Sequence, residues 1–144
     1  MLSNSCKYAI KAVLYIAVNK ENRKRIGIKQ ISEDLDIPAP FLSKILQILA
    51  KNHVLNSTKG PNGGFSLKMS TDEIHLMDII EIIGDTDNFN KCIIGVRYCA
   101  EKDNLCAMHK HYSKIREELK ELFYSSTIEK LVKDIKKGKN EMNI

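Results

Sequence analysis

The first 52 residues place apolar side chains at the spacing of three short helices. Over residues 5–19 the apolar positions lie on one face of a helix, and those of residues 28–35 mark a second, shorter helix. Proline disfavours helix in the residue before it but is accepted in a helix's first turn. The run Ile37-Pro38-Ala39-Pro40 therefore predicts that a third helix begins near Ala39 or Pro40 and runs to about Asn52.

The third helix has an apolar stripe and a polar face. The stripe consists of Phe41, Leu42, Ile45, Ile48 and Leu49. The polar face presents Pro40, Ser43, Lys44, Gln47 and Lys51. We expect the stripe to be buried and the polar face to meet solvent or a ligand.

Two β-prone runs follow the third helix. Residues 54–58 and 65–69 flank the turn Lys59-Gly60-Pro61-Asn62-Gly63-Gly64, which predicts a hairpin. Three helices and a hairpin in this order are typical of a winged helix-turn-helix. The predicted fold class is thus mainly α with a small β-hairpin, followed by a long C-terminal dimerisation helix.

The remaining chain carries three more predicted helices and one polar loop. A short helix spans residues 74–84, a long amphipathic helix begins at Ala107, and the last helix opens with a capping box from Ser126 to Glu129. The predicted organisation is a DNA-binding domain over 1–84, a cysteine-bearing sensor loop over 85–106, dimerisation helices over 107–137 and a tail over 138–144.

The long helix carries an apolar stripe that is longer than a small winged domain needs for its own packing. Its members are Tyr112, Ile115, Leu119 and Leu122. We expect it to be covered by the same helix of a second subunit, giving a homodimer.

Positive charge is concentrated in the N-terminal part. Residues 1–60 carry ten Lys/Arg and four Asp/Glu, whereas residues 61–144 carry thirteen and fourteen. This asymmetry favours a polyanionic partner for the first part, although simple solubility is the competing interpretation. No stretch has the ~18 consecutive apolar residues of a membrane span and no signal peptide is evident, so we expect a cytoplasmic protein without a membrane partner.

A winged helix-turn-helix predicts which side chains would contact double-stranded DNA. In the major groove, Lys44 and Gln47 are the candidates for base edges and Ser43 and Lys51 for phosphates, with Pro40 on the same DNA-facing side. The wing tip would enter the minor groove with Lys59, Gly60, Asn62 and Gly63. The competing interpretation is an ordinary solvated helix face beside a surface hairpin.

Three of the four cysteines form a candidate metal-binding set. Cys92, Cys99 and Cys106 are separated by six residues each, and His109 follows Cys106 after two more. Thiolates are the usual ligands of iron–sulfur clusters, and histidine can replace one of them. Thiol-based sensing and zinc are alternatives, but the two-residue spacing of zinc knuckles is missing. Cys6 lies on the apolar face of the first helix and is expected to be buried.

The predicted hairpin, which is the wing of such a fold, has a sequence that resembles a known family. The run from Thr58 to Phe65 is similar to the wing signature of the IscR/NsrR/CymR family of bacterial transcription regulators, and residues 7–12 and 74–81 also resemble that family. Lys59, Phe65 and Pro38 stand where the family commonly has Arg, Tyr and a Ser or Thr helix cap. The resemblance implies a homodimer that binds a palindromic operator.

The same resemblance implies a ligand set. It carries Cys92, Cys99 and Cys106 over as cluster ligands and adds His109 as a fourth. The favoured cofactor is a 2Fe–2S cluster, with a 4Fe–4S cluster as the alternative. Some relatives use an acidic residue near the N-terminus of the partner subunit, but the corresponding stretch, Cys6-Lys7-Tyr8, has no carboxylate.

The sequence therefore predicts a transcriptional repressor that responds to redox state, nitric oxide or iron through an iron–sulfur cluster. The alternative is a cluster-free regulator of the same fold, controlled by thiol oxidation, a small ligand or a partner protein. An enzyme is disfavoured, because we find no Gly-rich phosphate loop, paired carboxylates or nucleophile elbow. A scaffold that uses the long helix alone would leave the basic wing unexplained.

Overall fold

The computed structural model describes residues 2–91, 94 and 107–138. In these residues the helices are α1 (Asn4–Asn19), α2 (Ile28–Leu35), α3 (Ala39–Lys51), α4 (Leu76–Ile83), α5 (Asp87–Asn90), α6 (His109–Ser125) and α7 (Ile128–Lys137). The strands are β1 (Leu55–Thr58) and β2 (Gly64–Leu67). The three N-terminal helices and the hairpin confirm the predicted fold class, mainly α with a small β-hairpin. Dimerisation through the long helix stays a prediction.

Helix α1 lies at the centre of the core. Every residue from Ala12 to Ala17 is buried, so the helix is covered on all sides rather than on one face. It packs against α2, α3, α4, α7 and β2. Ala9, Ala12 and Ala17 are fully buried, and such small side chains allow neighbouring backbones to approach closely.

The turn between α2 and α3 is held by side chains as well as by backbone. Asp36 adopts a left-handed conformation with φ of 51°, and the Ser32 hydroxyl donates to the Ile37 carbonyl over 2.6 Å. The Tyr15 hydroxyl of α1 donates to the Asp34 carboxylate of α2. Burial and this hydrogen bond raise the pKa of Tyr15 to about 12, and the same bond lowers the pKa of Asp34.

Helix α3 buries a stripe that only partly matches the predicted one. Leu42, Ile45 and Leu49 are buried as expected, and so is Leu46, which the prediction omitted. Phe41 and Ile48 were predicted to face the core, but they are 63% and 39% exposed. The reason is geometric: the packed face follows residues 42, 45, 46 and 49 against α1, and positions 41 and 48 lie beyond its edge.

The hairpin is anchored to the core through Phe65. β1 and β2 pair antiparallel, with Thr58 opposite Gly64. Phe65 is buried and exchanges two backbone hydrogen bonds with Ile26, at 2.9 and 3.0 Å, so the α1–α2 connection lies beside β2 like a third strand. Gly64 has φ of 146°, and a Cβ there would lie 2.5 Å from the Ile26 carbonyl oxygen. Glycine is therefore required at this close approach.

Helix α7 shares the core of the N-terminal helices. Ile128 and Val132 are buried in the same cluster as α1, and the Ile128 amide donates to the Ile74 carbonyl over 2.9 Å. The predicted capping box at Ser126 is wrong: the N-cap is Thr127, whose hydroxyl accepts from the Lys130 amide. The Ser126 carbonyl instead accepts from the Leu76 amide, which moves the start of the helix one residue on.

A second, smaller apolar cluster joins α1, α4, α5 and α6. Its buried members are Cys6, Met77, Ile80 and Phe89. Residues 85–106 were predicted to be a loop without helix, but residues 87–90 form the single turn α5, which buries Phe89. The Phe89 and Phe123 rings meet edge to face with centroids 5.5 Å apart. No helix in residues 2–91 or 107–138 is long and apolar enough to cross a membrane.

Leu46→Ala should lower the free energy of unfolding by about 3 kcal/mol, because it empties a fully buried site. Ile48→Ala, two residues along the same helix, should change it by at most about 0.5 kcal/mol because Ile48 is partly in solvent. Urea unfolding of both variants measures the difference. Equal losses would contradict the observed orientation of α3.

Candidate nucleic-acid interface and cysteine segment

The outer face of α3 carries the side chains that were predicted to contact DNA. Pro40, Lys44, Gln47 and Lys51 are exposed, and Ser43 is half-buried. Lys44 and Lys51 have no ion-pair or hydrogen-bond partner among the residues that the structure describes. This helix therefore offers uncompensated positive charge and amide and hydroxyl groups to a partner.

A groove of about 380 Å³ separates α3 from the wing. Ser43 and Gln47 line it from α3, and Lys59, Gly60 and Gly63 line it from the wing. The start of α2, with Gly27 and Lys29, closes a third side. The structure thus brings five of the nine predicted DNA-contacting residues around one concavity. Pro40, Lys44, Lys51 and Asn62 lie outside its lining.

The wing tip needs its glycines for backbone reasons. Gly60 has φ of 104°, a conformation that other residues adopt with strain. The Gly63 amide donates to the Gly60 carbonyl over 2.9 Å, and a Cβ on Gly63 would lie 2.2 Å from the Thr58 carbonyl oxygen. The tip is therefore a tight, thin loop on which Lys59 and Asn62 are exposed. Lys59 has no partner in the described part of the chain.

The first turn of α3 is apolar and has few free donors. Pro38 is the N-cap and offers no side-chain cap, and Pro40 stands in the first turn. Neither proline has a backbone N–H. The Phe41 amide donates to the Pro38 carbonyl over 3.0 Å, while its ring is 63% exposed. Sequence reasoning missed Phe41, although the two prolines beside it were a signal that this turn differs from a polar cap.

The three clustered cysteines, Cys92, Cys99 and Cys106, lie outside the described residues. Of the predicted ligand set the structure places only His109, which is half-buried at the first residue of α6, as expected. The described residues hold no group of three or more potential metal ligands. Three thiols and an imidazole are nevertheless a donor set that fits an iron–sulfur cluster by its chemistry.

The residues that flank the cysteine segment, residues 92–106, are tied to the second apolar cluster. Before it, the Asp85 carboxylate accepts from the Ser3 amide over 2.7 Å, and Phe89 is buried against Phe123. After it, α6 begins at His109. Burial and the neighbouring Asp85 raise the pKa of the Cys6 thiol to about 12. Cys6 is therefore a protonated core residue, as expected, and a poor thiolate ligand.

Helix α6 and its N-cap expose apolar side chains, and the helix buries an arginine two of whose nitrogens lack a hydrogen bond to any described residue. Met108, Ile115 and Leu122 are spaced by seven residues and are 39%, 59% and 57% exposed. Arg116 is 9% exposed, and its Nε and Nη1 have no hydrogen-bond partner in the described part of the chain. The Glu117 carboxylate lies 3.6 Å from Nε. Sequence reasoning missed Arg116, because nothing in the local pattern marks it as buried.

Comparison with known protein families matches residues 2–134 to Rrf2, which is described as an iron-dependent transcriptional regulator. The match covers nearly the whole chain. This chain belongs to the Rrf2 family. The resemblance noted from the wing sequence is thereby confirmed at the level of the family.

Individual relatives agree with this Rrf2 assignment. A protein of Aquifex aeolicus, named as an HTH-type transcriptional regulator, is 34% identical over 92% of this chain and 91% of its own length. The solved structure of CymR, titled the global cysteine regulator of B. subtilis, has a TM-score of 0.75 at 22% identity and covers 93% of this chain and 97% of its own.

A second solved structure, T. potens IscR, has the same TM-score of 0.75 at 20% identity and covers 98% of this chain and 92% of its own. An oxidized form of Staphylococcus aureus CymR has a TM-score of 0.71 at 18% identity, with coverages of 92% and 95%. These structural likenesses establish the winged-helix fold. Rrf2 membership makes the chain a transcriptional regulator of a DNA-binding family and rules against the enzyme alternative.

Proposed function

We propose that this Rrf2 protein is a repressor that binds a palindromic operator as a homodimer and is controlled by an iron–sulfur cluster. The observation that carries the DNA-binding part is the groove between α3 and the wing. Its lining presents polar and basic side chains, Lys59 among them. Lys44 and Lys51 are exposed on α3 outside this lining, and none of the three lysines has a partner among the described residues. Phosphates are the natural counter-charges for such lysines.

The positions of the side chains assign them to base edges, phosphates or the minor groove of DNA. Gln47, exposed on α3, would bind an adenine edge in the major groove, and Lys44 a guanine edge. Ser43 and Lys51 would contact phosphates, and Pro40 would pack at the groove wall. The thin wing tip would carry Lys59, Gly60, Asn62 and Gly63 into the minor groove, where the potential is most negative over narrow A·T tracts. The N-terminus of α2 has no side-chain cap, which also suits a nearby phosphate.

Dimer formation would use the exposed side of α6. Met108, Ile115 and Leu122 recur every seven residues, and the half-buried Tyr112 lies between the first two at coiled-coil spacing. Leu119, expected in the same stripe, is half-buried against the second apolar cluster of its own chain and borders the proposed seam. A second copy of α6 would bury these side chains. The twofold axis would then hold the two α3 helices about one DNA turn, ~34 Å, apart.

Cys92, Cys99 and Cys106 would hold the cluster, with His109 as the fourth ligand. A bound cluster supplies a group that nitric oxide, oxygen or iron shortage alters or removes. The cluster could act on the rest of the protein because the segment is attached at both ends. It follows α5, which packs in the second apolar cluster, and it leads into α6. A cluster bound there would fix the position of α6, and with it the spacing of the two α3 helices.

A second candidate is regulation by thiol oxidation without a cluster. It is favoured by the likeness to CymR, for which an oxidized form is among the solved structures. The same cysteines would then form a disulfide or a sulfenic acid in place of metal–thiolate bonds. Both candidates keep the same DNA-binding surface, so the metal content of the isolated protein separates them.

Lys51→Ala and Lys59→Ala should weaken binding to all duplexes and should each reduce the slope of log K against log salt by about 1. Gln47→Ala should instead lose about 1–3 kcal/mol of discrimination at one base pair in each half-site. Fluorescence anisotropy with a duplex selected from a random pool, measured at several salt concentrations, tests both.

Lys133→Ala is the matched control for the lysine variants, because Lys133 lies on α7 and pairs with Glu129 over 3.0 Å. It should leave affinity and slope unchanged. Equal effects of Lys133→Ala and Lys59→Ala would mean that binding depends on overall charge and not on the proposed surface.

Ile115→Asp should convert the dimer to monomers, because it would bury a charge in the proposed α6 seam. Sedimentation equilibrium measures the change, with Lys114→Asp as the control one residue outside the seam. A variant that stays dimeric with unchanged affinity would show that this stripe is not the interface.

Anaerobically isolated protein should contain iron and sulfide and absorb in the visible range, and Cys92→Ser, Cys99→Ser and Cys106→Ser should each lose both. Cys6→Ala should retain them because Cys6 is a core residue. Operator affinity of loaded and apo protein should differ by about fivefold or more. Equal affinities would exclude the switch, and a colourless protein that responds to peroxide would support the thiol alternative.

A further inference from the structure

Phe41 is the most exposed large apolar side chain of the DNA-binding half. Its ring is 63% exposed at the third residue of α3, in the turn that leads the helix. Helix-turn-helix proteins contact base edges chiefly with the N-terminal residues of the recognition helix. An exposed phenylalanine at this place is therefore expected to contact the DNA.

The surroundings of Phe41 exclude readout by hydrogen bonds in this turn. Pro38 and Pro40 are exposed, have no N–H group and carry no polar side-chain atom. The Phe41 amide is already used by the Pro38 carbonyl at 3.0 Å. The leading turn would thus present hydrocarbon to the major groove of DNA, and the first polar side chains follow at Ser43 and Lys44.

The major groove offers one apolar group on a base edge, the C5-methyl of thymine. Resting on the proposed function, we propose that Phe41 is a specificity-determining residue that packs against a thymine methyl in each half-site. Lys44 lies one turn away on the same exposed side. If Lys44 bound a phosphate or base acceptor next to the thymine, that contact would keep the Phe41 ring against the methyl.

Replacing thymine by deoxyuridine removes this methyl and leaves base pairing intact. We would select a duplex from a random pool with the full-length protein and replace its thymines one at a time. The wild type should lose about three- to fivefold in affinity at one thymine of each half-site, the value expected for burying a single methyl. Phe41→Ala should bind thymine and uracil duplexes equally at that position, and Phe41→Leu should keep part of the difference.

Ile48→Ala is the matched control, because Ile48 is the other exposed large hydrophobic residue of α3 and lies two turns, about 10 Å, further along the helix. It should leave the thymine–uracil difference intact. Thermal unfolding should show that Phe41→Ala folds like the wild type, since the ring is largely in solvent.

Three outcomes would overturn the assignment. The wild type could bind all uracil-substituted duplexes within twofold of the parent. Phe41→Ala could weaken binding while keeping the thymine–uracil difference. Phe41→Ala could also shift the monomer–dimer equilibrium, which would place the ring in a subunit contact. Failure of the protein to bind any duplex would instead overturn the proposed function, so the two failures are distinguishable.

Discussion

Burial of α1 on all sides orients the rest of the molecule. Six consecutive residues, Ala12 to Ala17, are shielded from solvent, so α2, α3, α4, α7 and β2 must all pack against one helix. Helix α3 meets this constraint by turning Leu42, Leu46 and Leu49 inward. Because a helix has one rotation about its axis, that choice also fixes which side chains face away from the core. The proposed DNA surface is thus a consequence of the packing around α1.

The sequence predicted the elements of the DNA-binding half because their signals are local. Helical spacing, the proline run at 37–40 and the Gly/Pro turn at 59–64 each act over a few residues. The orientation of α3 was less predictable, since Phe41 and Ile48 are as apolar as their buried neighbours. Only the tertiary contact with α1 decides that residue 46 faces inward and residues 41 and 48 do not. Positions where local rules fail are candidates for function, and among these two the proposed role falls on Phe41.

The flanks of the cysteine segment show a different limit of sequence reasoning. The spacing of the cysteines and the place of His109 at the start of α6 follow from the sequence. The hydrogen bond from Ser3 to Asp85 joins residues 82 positions apart, and Phe89 meets Phe123 across another long separation. Such contacts leave no periodic trace. In the proposed switch they matter because they connect both α1 and α6 to the beginning of the cysteine segment.

The side chains on the proposed DNA surface differ in what they can discriminate. Apart from Lys44, which is proposed to bind a guanine edge, the lysines act mainly as point charges and favour any duplex, so they set affinity more than sequence preference. Selection among base pairs then falls on Gln47, which suits adenine, and on Phe41, which suits the thymine methyl. The lysine at the wing tip favours the negative potential of narrow minor grooves, a property of A·T tracts. Because three separate contacts prefer the same base pair, we expect the operator half-sites to be rich in A·T where α3 and the wing meet them.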